Sequence, residues 1–278
     1  MNIILFTILI WLGSFSAGFL GSLTGLGGGV VIVPLLTLVF GVDIRYAIGA
    51  SLISVIATSS GAASAYVKEG YSNIRIGMFL EMATTIGAVV GAYLAGITPA
   101  NIIAIIFGLV LLYSAAQTFR TRKGQHITSE PNRMAEKLKL NGSYPEKGKL
   151  QPYTMQNIPG GFGVCFTAGT LSGLLGIGGG AVKVLAMDQV MKIPFKVSAT
   201  TSNFMIGVTA AASAGIYLSR GYIDPGLAMP VMLGVLLGSV IGAKVLAKAS
   251  SHWLKLIFSI IILIMAFEMI KSGLSGTI

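Results

Sequence analysis

Long apolar runs separated by short polar connections dominate the hydrophobic pattern of this chain. Each run is continuously apolar rather than alternating, and each is close to the ~20 residues that cross ~30 Å of hydrocarbon as a helix. The runs cover residues 3–24, 45–67, 73–96, 100–119, 158–177, 196–218, 225–248 and 252–270. Because lipid offers the backbone no hydrogen bonds, such segments must pair their own peptide groups as helices. The pattern predicts an all-α polytopic membrane protein with eight spans.

Composition agrees with a lipid environment. Apolar residues make up 54% of the 278 positions and charged residues 10%, with a mean hydropathy of +0.84. A water-soluble domain cannot hide so much apolar surface in one core. We therefore expect a multi-pass protein of the cytoplasmic (inner) membrane whose main partner is the lipid bilayer. The single cysteine, Cys165, excludes an internal disulfide and a cysteine metal cluster.

The two halves of the chain resemble each other. Residues 18–120 laid over 169–271, a shift of 151, give 25 identities in 103 gapless pairs, including Gly25-Leu26-Gly27-Gly28-Gly29 over Gly176-Ile177-Gly178-Gly179-Gly180. This predicts two homologous helical repeats, 1–120 and 158–278. Duplicated halves are common in transporters, with the substrate site near the midplane between them. Further spaced glycines, such as Gly87 and Gly91 or Gly234 and Gly238, favour simple close packing of helices.

The segment between the repeats, residues 121–157, is polar and basic. Between residues 120 and 157 the chain carries eight Lys or Arg against three Glu, so this segment holds half of the chain's net charge of +10. Cytoplasmic loops are enriched in Lys and Arg, so this linker is expected inside the cell. No Phe, Tyr or Trp lies among its basic residues from Arg120 to Lys139 to stack bases, which argues against nucleic-acid binding. A short helix is expected within 130–141.

The relative orientation of the repeats depends on two short apolar stretches, 30–41 and 181–191. If they do not cross the membrane, each repeat crosses four times and the repeats are parallel. If they do cross, each repeat crosses five times and the second is inverted. We favour inversion because it places most Lys and Arg residues on the linker side, whereas the parallel arrangement strands Lys244, Lys248 and Lys255 outside.

Three consecutive glycines, Gly27–Gly29 and Gly178–Gly180, interrupt the apolar pattern at matched positions. Glycine costs about 1 kcal/mol per residue inside a helix, so each helix should break there and a short helix should follow from Val30 or Ala181. A break in the membrane must be buried in protein or face a wet cavity. The free amides at a helix start suit a small oxyanion, although a tight helix crossing is the simpler alternative. No Lys-Ser or Lys-Thr follows, so a phosphate loop is excluded.

Polar residues recur near the start of the long helix that follows each break. They are Ser51 in the first repeat and Thr201, Ser202 and Asn203 in the second. Their hydroxyl and amide groups are candidates for binding an anion without burying a charge. The alternative is that the hydroxyls bond back to their own helix. Ser51 and Ser202 are identical at the 151-residue offset.

Few charges fall within the apolar runs, so each is a functional hypothesis. Glu81 lies near the middle of its run and is replaced by Met232 in the second repeat, which makes it a proton-coupling candidate. Lys183, three residues after the second glycine triplet, is a candidate for binding an anionic substrate. Alternatively, these residues or their neighbours form structural ion pairs, as Asp188 and Lys192 are spaced to do.

These motifs resemble those of the TauE/SafE family of sulfite and organosulfur-anion exporters. The resemblance rests on the two glycine motifs, on Val33-Pro34-Leu35-Leu36, on Ala50-Ser51-Leu52 and Ala199-Thr200-Thr201-Ser202-Asn203, and on Tyr66-Val67-Lys68-Glu69-Gly70 with its counterpart from Tyr217. It covers both hydrophobic halves. It implies secondary transport of a small anion such as sulfite, thiosulfate, sulfoacetate or another sulfonate. Lys183, Asp188 and the long basic linker depart from the family's usual pattern.

The sequence therefore favours a transporter that works by alternating access, with coupling to protons through Glu81 as a further hypothesis. An anion channel is the nearest alternative, followed by a structural role and a membrane-embedded enzyme. An enzyme would need convergent acids, bases or metal ligands, yet the only histidines are His126 and His252. The sequence indicates no catalytic residue, metal site or cofactor. It leaves the direction of transport and a homo-oligomeric state open.

Overall fold

The computed structural model describes residues 3–24, 28–68, 72–119, 133–138, 140–146, 149–246 and 251–276. The helices are α1 (Ile3–Thr24), α2 (Gly29–Pro34), α3 (Ile44–Lys68), α4 (Ile74–Ile97), α5 (Ala100–Phe119), α6 (Arg133–Lys137), α7 (Ile158–Leu175), α8 (Gly180–Leu185), α9 (Phe195–Ser219), α10 (Pro225–Leu246) and α11 (Ser251–Ser275). π-Helical segments, Leu35–Val39 and Ala186–Val190, continue α2 and α8. Strands β1 (Gly142–Glu146) and β2 (Lys149–Tyr153) form an antiparallel hairpin.

Each of the eight predicted apolar runs is a helix, which agrees with the predicted α-helical membrane protein; the β hairpin is the exception to an all-α fold. The helix ends lie within two residues of the predicted ends, except that α11 continues five residues further, to Ser275. By length and hydropathy, three helices in the described ranges qualify as membrane spans: Ile74–Ile97, Ile158–Leu175 and Pro225–Gly242. The number of crossings in each repeat therefore stays a prediction.

The secondary structure follows the same offset as the sequence identities. α2 begins at Gly29 and α8 at Gly180, and α3 and α9 likewise begin 151 residues apart. The two π-helical segments, which begin at Leu35 and Ala186, keep this spacing as well. Both short helices begin one residue earlier than the sequence predicts, because each starts on the last glycine of its triplet.

Pairs of helices from different halves hold the protein together. α1 packs along α10, α4 packs along α7, and α3 crosses α9. Glycines line the first two contacts: a Cβ atom at Gly91 would lie 2.0 Å from the carbonyl oxygen of Thr170, and one at Gly238 would lie 2.0 Å from that of Phe15. Glycine is thus required for these helices to approach so closely. This confirms the packing role predicted for the spaced glycines.

One end of the molecule is marked by two arginines. The guanidinium groups of Arg45, at the start of α3, and Arg220, at the end of α9, both donate to backbone carbonyls in the last turns of α4. Cationic groups are favourable partners for the open carbonyls of a helix C-terminus. The start of α3 therefore lies beside the ends of α4 and α9, and α3 and α9 run in opposite directions. We call this the arginine end.

Asn73 marks the opposite end. Its side chain caps α4 by accepting a hydrogen bond from the backbone N–H of Ile76 over 3.2 Å. Its own backbone N–H donates to the hydroxyl of Thr201 near the start of α9, and its amide group donates to the hydroxyl of Tyr153 in β2. The starts of α4 and α9 and the hairpin of the linker therefore meet here. We call this the linker end.

Each glycine-rich segment lies at the tip of a helical hairpin. The backbone N–H of Gln156 donates to the carbonyl of Met191 over 3.0 Å, so α7 begins where the segment after α8 ends, at the linker end. In the first half, the rings of Phe6 and Phe40 lie 5.9 Å apart, so the beginning of α1 lies beside the end of the segment after α2. That segment leads directly into α3 at the arginine end. The two hairpins consequently open toward opposite ends.

The linker folds onto the linker end instead of extending away from it. α6 is the short helix that the linker sequence predicts, whereas the β hairpin was not predicted. Side chains from both elements and the segment after them are buried with residues of α4, α7 and α9 in a second hydrophobic cluster; the linker residues are Ala135, Leu140, Tyr144, Tyr153 and Met155. Burial of these side chains explains why a polar segment with two prolines in its strands still forms an ordered hairpin.

Candidate functional site

The second glycine-rich segment breaks its helix completely. α7 ends at Leu175 and α8 begins at Gly180, and between them Gly178 and Gly179 have φ angles of +71° and +66°. Residues with a Cβ atom rarely adopt this left-handed conformation, so the turn depends on glycine. In the first half Gly28 has an ordinary φ of −64°, and Gly27 lies outside the described residues. The predicted interruption is confirmed for the second half.

The two glycine-rich segments meet at Ser51. Its hydroxyl donates to the carbonyl of Gly176 over 2.8 Å and lies 3.4 Å from the carbonyl of Gly29. Ser202, at the equivalent position of α9, donates to the carbonyl of Gly180 over 3.2 Å. Both serines are buried. The hydroxyls thus satisfy carbonyls near the breaks, as a membrane interior without water requires.

This arrangement changes the interpretation of the two serines. The sequence suggested that Ser51 and Ser202 donate hydrogen bonds to an anion, but here each hydroxyl proton is given to the backbone. A serine hydroxyl has one proton, so an anion would have to draw it away from its carbonyl. The serines form hydrogen bonds across elements rather than back to their own helix, contrary to the alternative that the sequence left open. Anion binding by them stays a prediction.

Thr201 and Asn203 flank Ser202 but face other directions, because successive helix positions point to different sides. Thr201 is buried and accepts the hydrogen bond from the backbone of Asn73, which commits it to the contact between α4 and α9. Asn203 is half-buried one position further along. The structure therefore brings Gly29, Ser51 and Gly176 together and sets Ser202 against Gly180. It places Thr201 at the linker end.

Glu81 and Lys183 form a buried ion pair between the two halves. The Nζ atom of Lys183 lies 4.0 Å from Oε2 of Glu81, and the two residues are 0% and 7% exposed. Thr209 of α9 connects them: its hydroxyl accepts from Lys183 Nζ and donates to Glu81 Oε1 over 2.6 Å. Lys183 also donates to the carbonyl of Met205 over 3.3 Å. The alternative of a structural ion pair thus has a definite geometry, joining α4 to α8.

This pair is a costly element of the interior. Taking two charges out of water is repaid only when the geometry is close and every polar atom has a partner. Here the 4.0 Å separation is too long for a hydrogen bond, and Oε2 of Glu81 has no hydrogen-bond partner among the described residues. Ionisable groups at membrane depth are functional candidates for this reason.

The sequence did not indicate Thr209, whose hydroxyl is hydrogen-bonded to both Lys183 and Glu81. A signal was present, because Thr209 is identical to Thr58 at the 151-residue offset. It was also not evident that Cys165 of α7 is buried near the pair, where it interacts electrostatically with Lys183. Within the described ranges, no three histidine, cysteine or acidic side chains are placed to hold a metal ion.

Replacement of Ser51 by alanine tests its role in joining the two segments. We expect a loss of about 1–3 kcal/mol of stability, because buried carbonyls lose their donor. Ser54→Ala is the matched control: Ser54 is equally buried but donates within its own helix, to the carbonyl of Ser51. Thermal denaturation in detergent should show a lower midpoint for Ser51→Ala than for Ser54→Ala. Equal midpoints would show that the link across the two segments contributes nothing.

The fold and its interior together define a class of protein. A bundle of long apolar helices that keeps two interrupted helices and a charged pair inside it has the architecture of a membrane transport protein. A family model described as "Sulfite exporter TauE/SafE" matches residues 10–269. The chain belongs to the TauE/SafE sulfite exporter family and is a membrane transporter, as the motif resemblance predicted.

Curated relatives agree with this class. The chain is 29% identical over 276 residues to "Probable membrane transporter protein YunE" of Bacillus subtilis (strain 168). The matched region covers 97% of this chain and 98% of that protein. The chain is 28% identical over 286 residues to "Probable membrane transporter protein MJ0441" of Methanocaldococcus jannaschii, with 96% of each chain covered. No solved structure matches the chain.

Proposed function

We propose that this protein is a secondary transporter that moves a small sulfur-containing anion, such as sulfite, thiosulfate or sulfoacetate, across the cytoplasmic membrane by alternating access. The observation that carries the proposal is the hydrogen bond from Ser51 to Gly176, which joins the glycine-rich segments of the two halves inside the protein. The description of the matching family supports a sulfur anion. The names of the curated relatives support transport without naming a solute.

The proposed binding chamber lies where the two hairpin tips meet. Two helical segments, Gly29–Val39 and Gly180–Val190, start at this point, and their first amides carry partial positive charge. Ser51 and Ser202 lie on these starts and supply hydroxyl groups. An anion that enters accepts the hydrogen bonds that the two hydroxyls now donate to the carbonyls. Binding then loosens the link between the hairpins, which allows the halves to move relative to each other.

We propose further that the halves are inverted repeats. The hairpins open toward opposite ends, and α3 and α9 are antiparallel. The first helix of each half packs along a helix of the other half: α1 along α10, and α7 along α4. A two-fold axis in the membrane plane relates elements in this way. The linker end carries the basic linker and the exposed side chains of Arg75, Lys192 and Lys196, so it is the cytoplasmic end.

Purified protein in liposomes tests the transport proposal. We expect saturable uptake of radiolabelled sulfite, thiosulfate or sulfoacetate, and acceleration when the same anion is present inside the liposomes. Such exchange is the mark of alternating access, since a channel passes anions without being accelerated from the far side. Absence of uptake for every anion would overturn the proposal, and uptake without acceleration would replace the transporter with a channel.

Cysteine labelling from the two sides of the membrane tests the inversion. The single native cysteine, Cys165, is buried, so background labelling is low. In intact cells an impermeant maleimide should label Lys271→Cys, whereas Lys192→Cys should react only after permeabilisation; both side chains are exposed. Parallel repeats would reverse both results, because four crossings per half return the C-terminus to the cytoplasm and leave residue 192 outside.

A further inference from the structure

The buried ion pair is not duplicated by the internal repeat. Glu81 and Lys183 have Met232 and Ile32 at the positions offset by 151 residues, so no equivalent pair exists at the symmetry-related place. Packing of the two halves alone therefore does not require these charges. Lys183 lies three residues after Gly180, about 4.5 Å along the helix axis from the second break. The pair is thus next to the proposed chamber.

α9 connects the chamber to the pair. Ser202 contacts Gly180, and Thr209, two turns further along the same face of α9, contacts Lys183. The two oxygens of the Glu81 carboxylate differ in their partners. Oε1 accepts from Thr209 and from Thr85, whereas Oε2 is buried and, within the part of the chain that the structure describes, has no hydrogen-bond partner. Oε2 is also the oxygen that faces Lys183 at 4.0 Å.

This geometry suits the gain and loss of a proton. A proton added to Oε2 breaks no existing hydrogen bond, because this oxygen has none. It removes the negative charge that faces Lys183 and leaves a buried ammonium group without an opposite charge. A buried cation of this kind strongly favours an anion beside it.

We infer that Glu81, Thr209 and Lys183 form a proton–anion coupling site, in which a monovalent anion replaces the Glu81 carboxylate as the partner of Lys183 when Oε2 of Glu81 binds a proton. This inference rests on the proposed function. One O–H bond forms on Glu81 as the anion enters, and it breaks when the anion leaves on the other side. One proton therefore accompanies each anion.

The charge of the site selects the substrate. The empty site holds one carboxylate and one ammonium group, and the loaded site holds a neutral carboxyl, the ammonium group and the anion. With a monovalent anion, the empty site and the loaded site are both neutral. The protein can therefore change between its two conformations in either state without an exposed or uncompensated charge. A dianion would leave one negative charge unpaired at membrane depth, which is costly. Hydrogensulfite and monovalent sulfonates are therefore the favoured class.

Few other titratable groups face this site. Among the described residues, those that interact electrostatically with Lys183 are Glu81 from α4 and Cys165 from α7. α9 contributes the neutral Thr209, and Thr84 and Thr85 add hydroxyl groups from α4. A thiol that keeps its proton carries no charge. Glu81 is therefore the group of the two whose carboxylate balances the lysine charge and whose protonation removes that balance.

Liposomes with radiolabelled methanesulfonate and thiosulfate test the coupling. A sulfonate keeps its single charge across the accessible pH range, so a pH effect reports on the protein. In the wild-type protein we expect an inward proton gradient to drive accumulation of methanesulfonate, and a membrane potential alone to drive none. In Glu81→Gln, the proton gradient should lose its effect, exchange should become independent of pH, and a potential positive inside should now drive uptake.

Lys183→Met should reduce uptake to that of liposomes without protein. This variant leaves the buried Glu81 carboxylate without a cation, which disfavours folding. Glu81→Gln/Lys183→Met is therefore a second test, since it removes both charges. We expect the double variant to elute as the wild type does in size-exclusion chromatography and to transport nothing. Glu268→Gln and Lys271→Met are matched controls, because this exposed pair has the same 4.0 Å separation. They should leave proton-driven accumulation unchanged.

Distinct results separate the inference from the proposed function. Proton-driven accumulation that persists in Glu81→Gln, or uptake that persists in the double variant, would overturn the coupling site while anion transport stands. Faster transport of thiosulfate than of methanesulfonate, driven by one proton alone, would overturn the preference for a monovalent anion. No transport of any sulfur anion by the wild-type protein would overturn the proposed function and the inference with it.

Discussion

Leucine in place of Gly179 should abolish anion transport while the protein still inserts into the membrane. Gly179 has a φ of +66°, and a left-handed conformation costs a residue with a Cβ atom about 1–2 kcal/mol. A Cβ atom there would also lie 2.8 Å from the carbonyl oxygen of Ala168 in α7. That atom belongs to the backbone, so α8 must move away from α7 and carry Gly180 away from Ser202. Insertion depends mainly on the hydrophobicity of the segments, which leucine raises.

Gly221→Leu is the control for backbone strain. Gly221 has a φ of +74°, but a Cβ atom there meets no atom of the described residues within 4 Å. This variant should transport sulfite in liposomes at a rate close to that of the wild type, whereas Gly179→Leu should be inactive at equal amounts of monodisperse protein. Gly28→Leu should have the smaller effect of the two triplet variants, because Gly28 has an ordinary φ and its close neighbour is a side-chain atom of Val235. Normal transport by Gly179→Leu would remove the second break from the transport path.

Alanine in place of Gly91 should strongly reduce the yield of folded protein. The added Cβ atom would lie 2.0 Å from the carbonyl oxygen of Thr170 and 3.0 Å from the backbone nitrogen of Leu174. Both atoms belong to the backbone of α7, so the two helices must separate along their length. Overpacking of a tight core costs about 1–3 kcal/mol and more where the neighbour cannot rotate away. Gly169→Ala should act in the same way from the other side of this contact, since its Cβ atom would lie 2.1 Å from the carbonyl oxygen of Thr84.

The measurement is the midpoint of thermal denaturation together with the monodisperse fraction in size-exclusion chromatography. Gly163→Ala is the control on α7, because a Cβ atom at Gly163 has no neighbour within 4 Å in the described ranges. Alanine is favoured over glycine in a helix by about 1 kcal/mol, so this variant should be as stable as the wild type or slightly more stable. Equal midpoints for Gly91→Ala and Gly163→Ala would contradict a contact between α4 and α7 that only glycine permits.

The candidate site could be predicted only in part. Ser51 and Ser202 were found because they repeat at a fixed offset, and Lys183 and Glu81 were found because charges are rare in apolar runs. What the serine hydroxyls bond to was not predictable, since Gly176 is 125 residues away from Ser51. The pairing of Glu81 with Lys183 was likewise one of several possibilities, among them the local pair of Asp188 and Lys192. In the structure Lys192 is exposed with a φ of +59°, while Asp188 is buried.

The β hairpin of the linker shows the limit of local patterns. β1 and β2 contain Pro145 and Pro152 and lack a clear alternation of apolar and polar residues. Nothing in their own sequence favours strands. Tyr144 and Tyr153 are buried against the membrane helices, and this contact stabilises the hairpin. The linker is recognisable in the sequence by its polar composition, yet its attachment to the starts of α4 and α9 depends on residues that are distant in sequence.

The sequence by itself determined the helices, because a backbone in lipid has to pair its own peptide groups and the apolar runs mark where it does so. It also determined the places where helices break, because glycine is the residue that a helix interior tolerates poorly and that a left-handed turn requires. Only the tertiary structure decided that the two breaks meet at Ser51 and that Glu81 faces Lys183. Contacts between distant segments follow from how helix surfaces fit together, and that fit depends on all the packed side chains at once rather than on any local pattern.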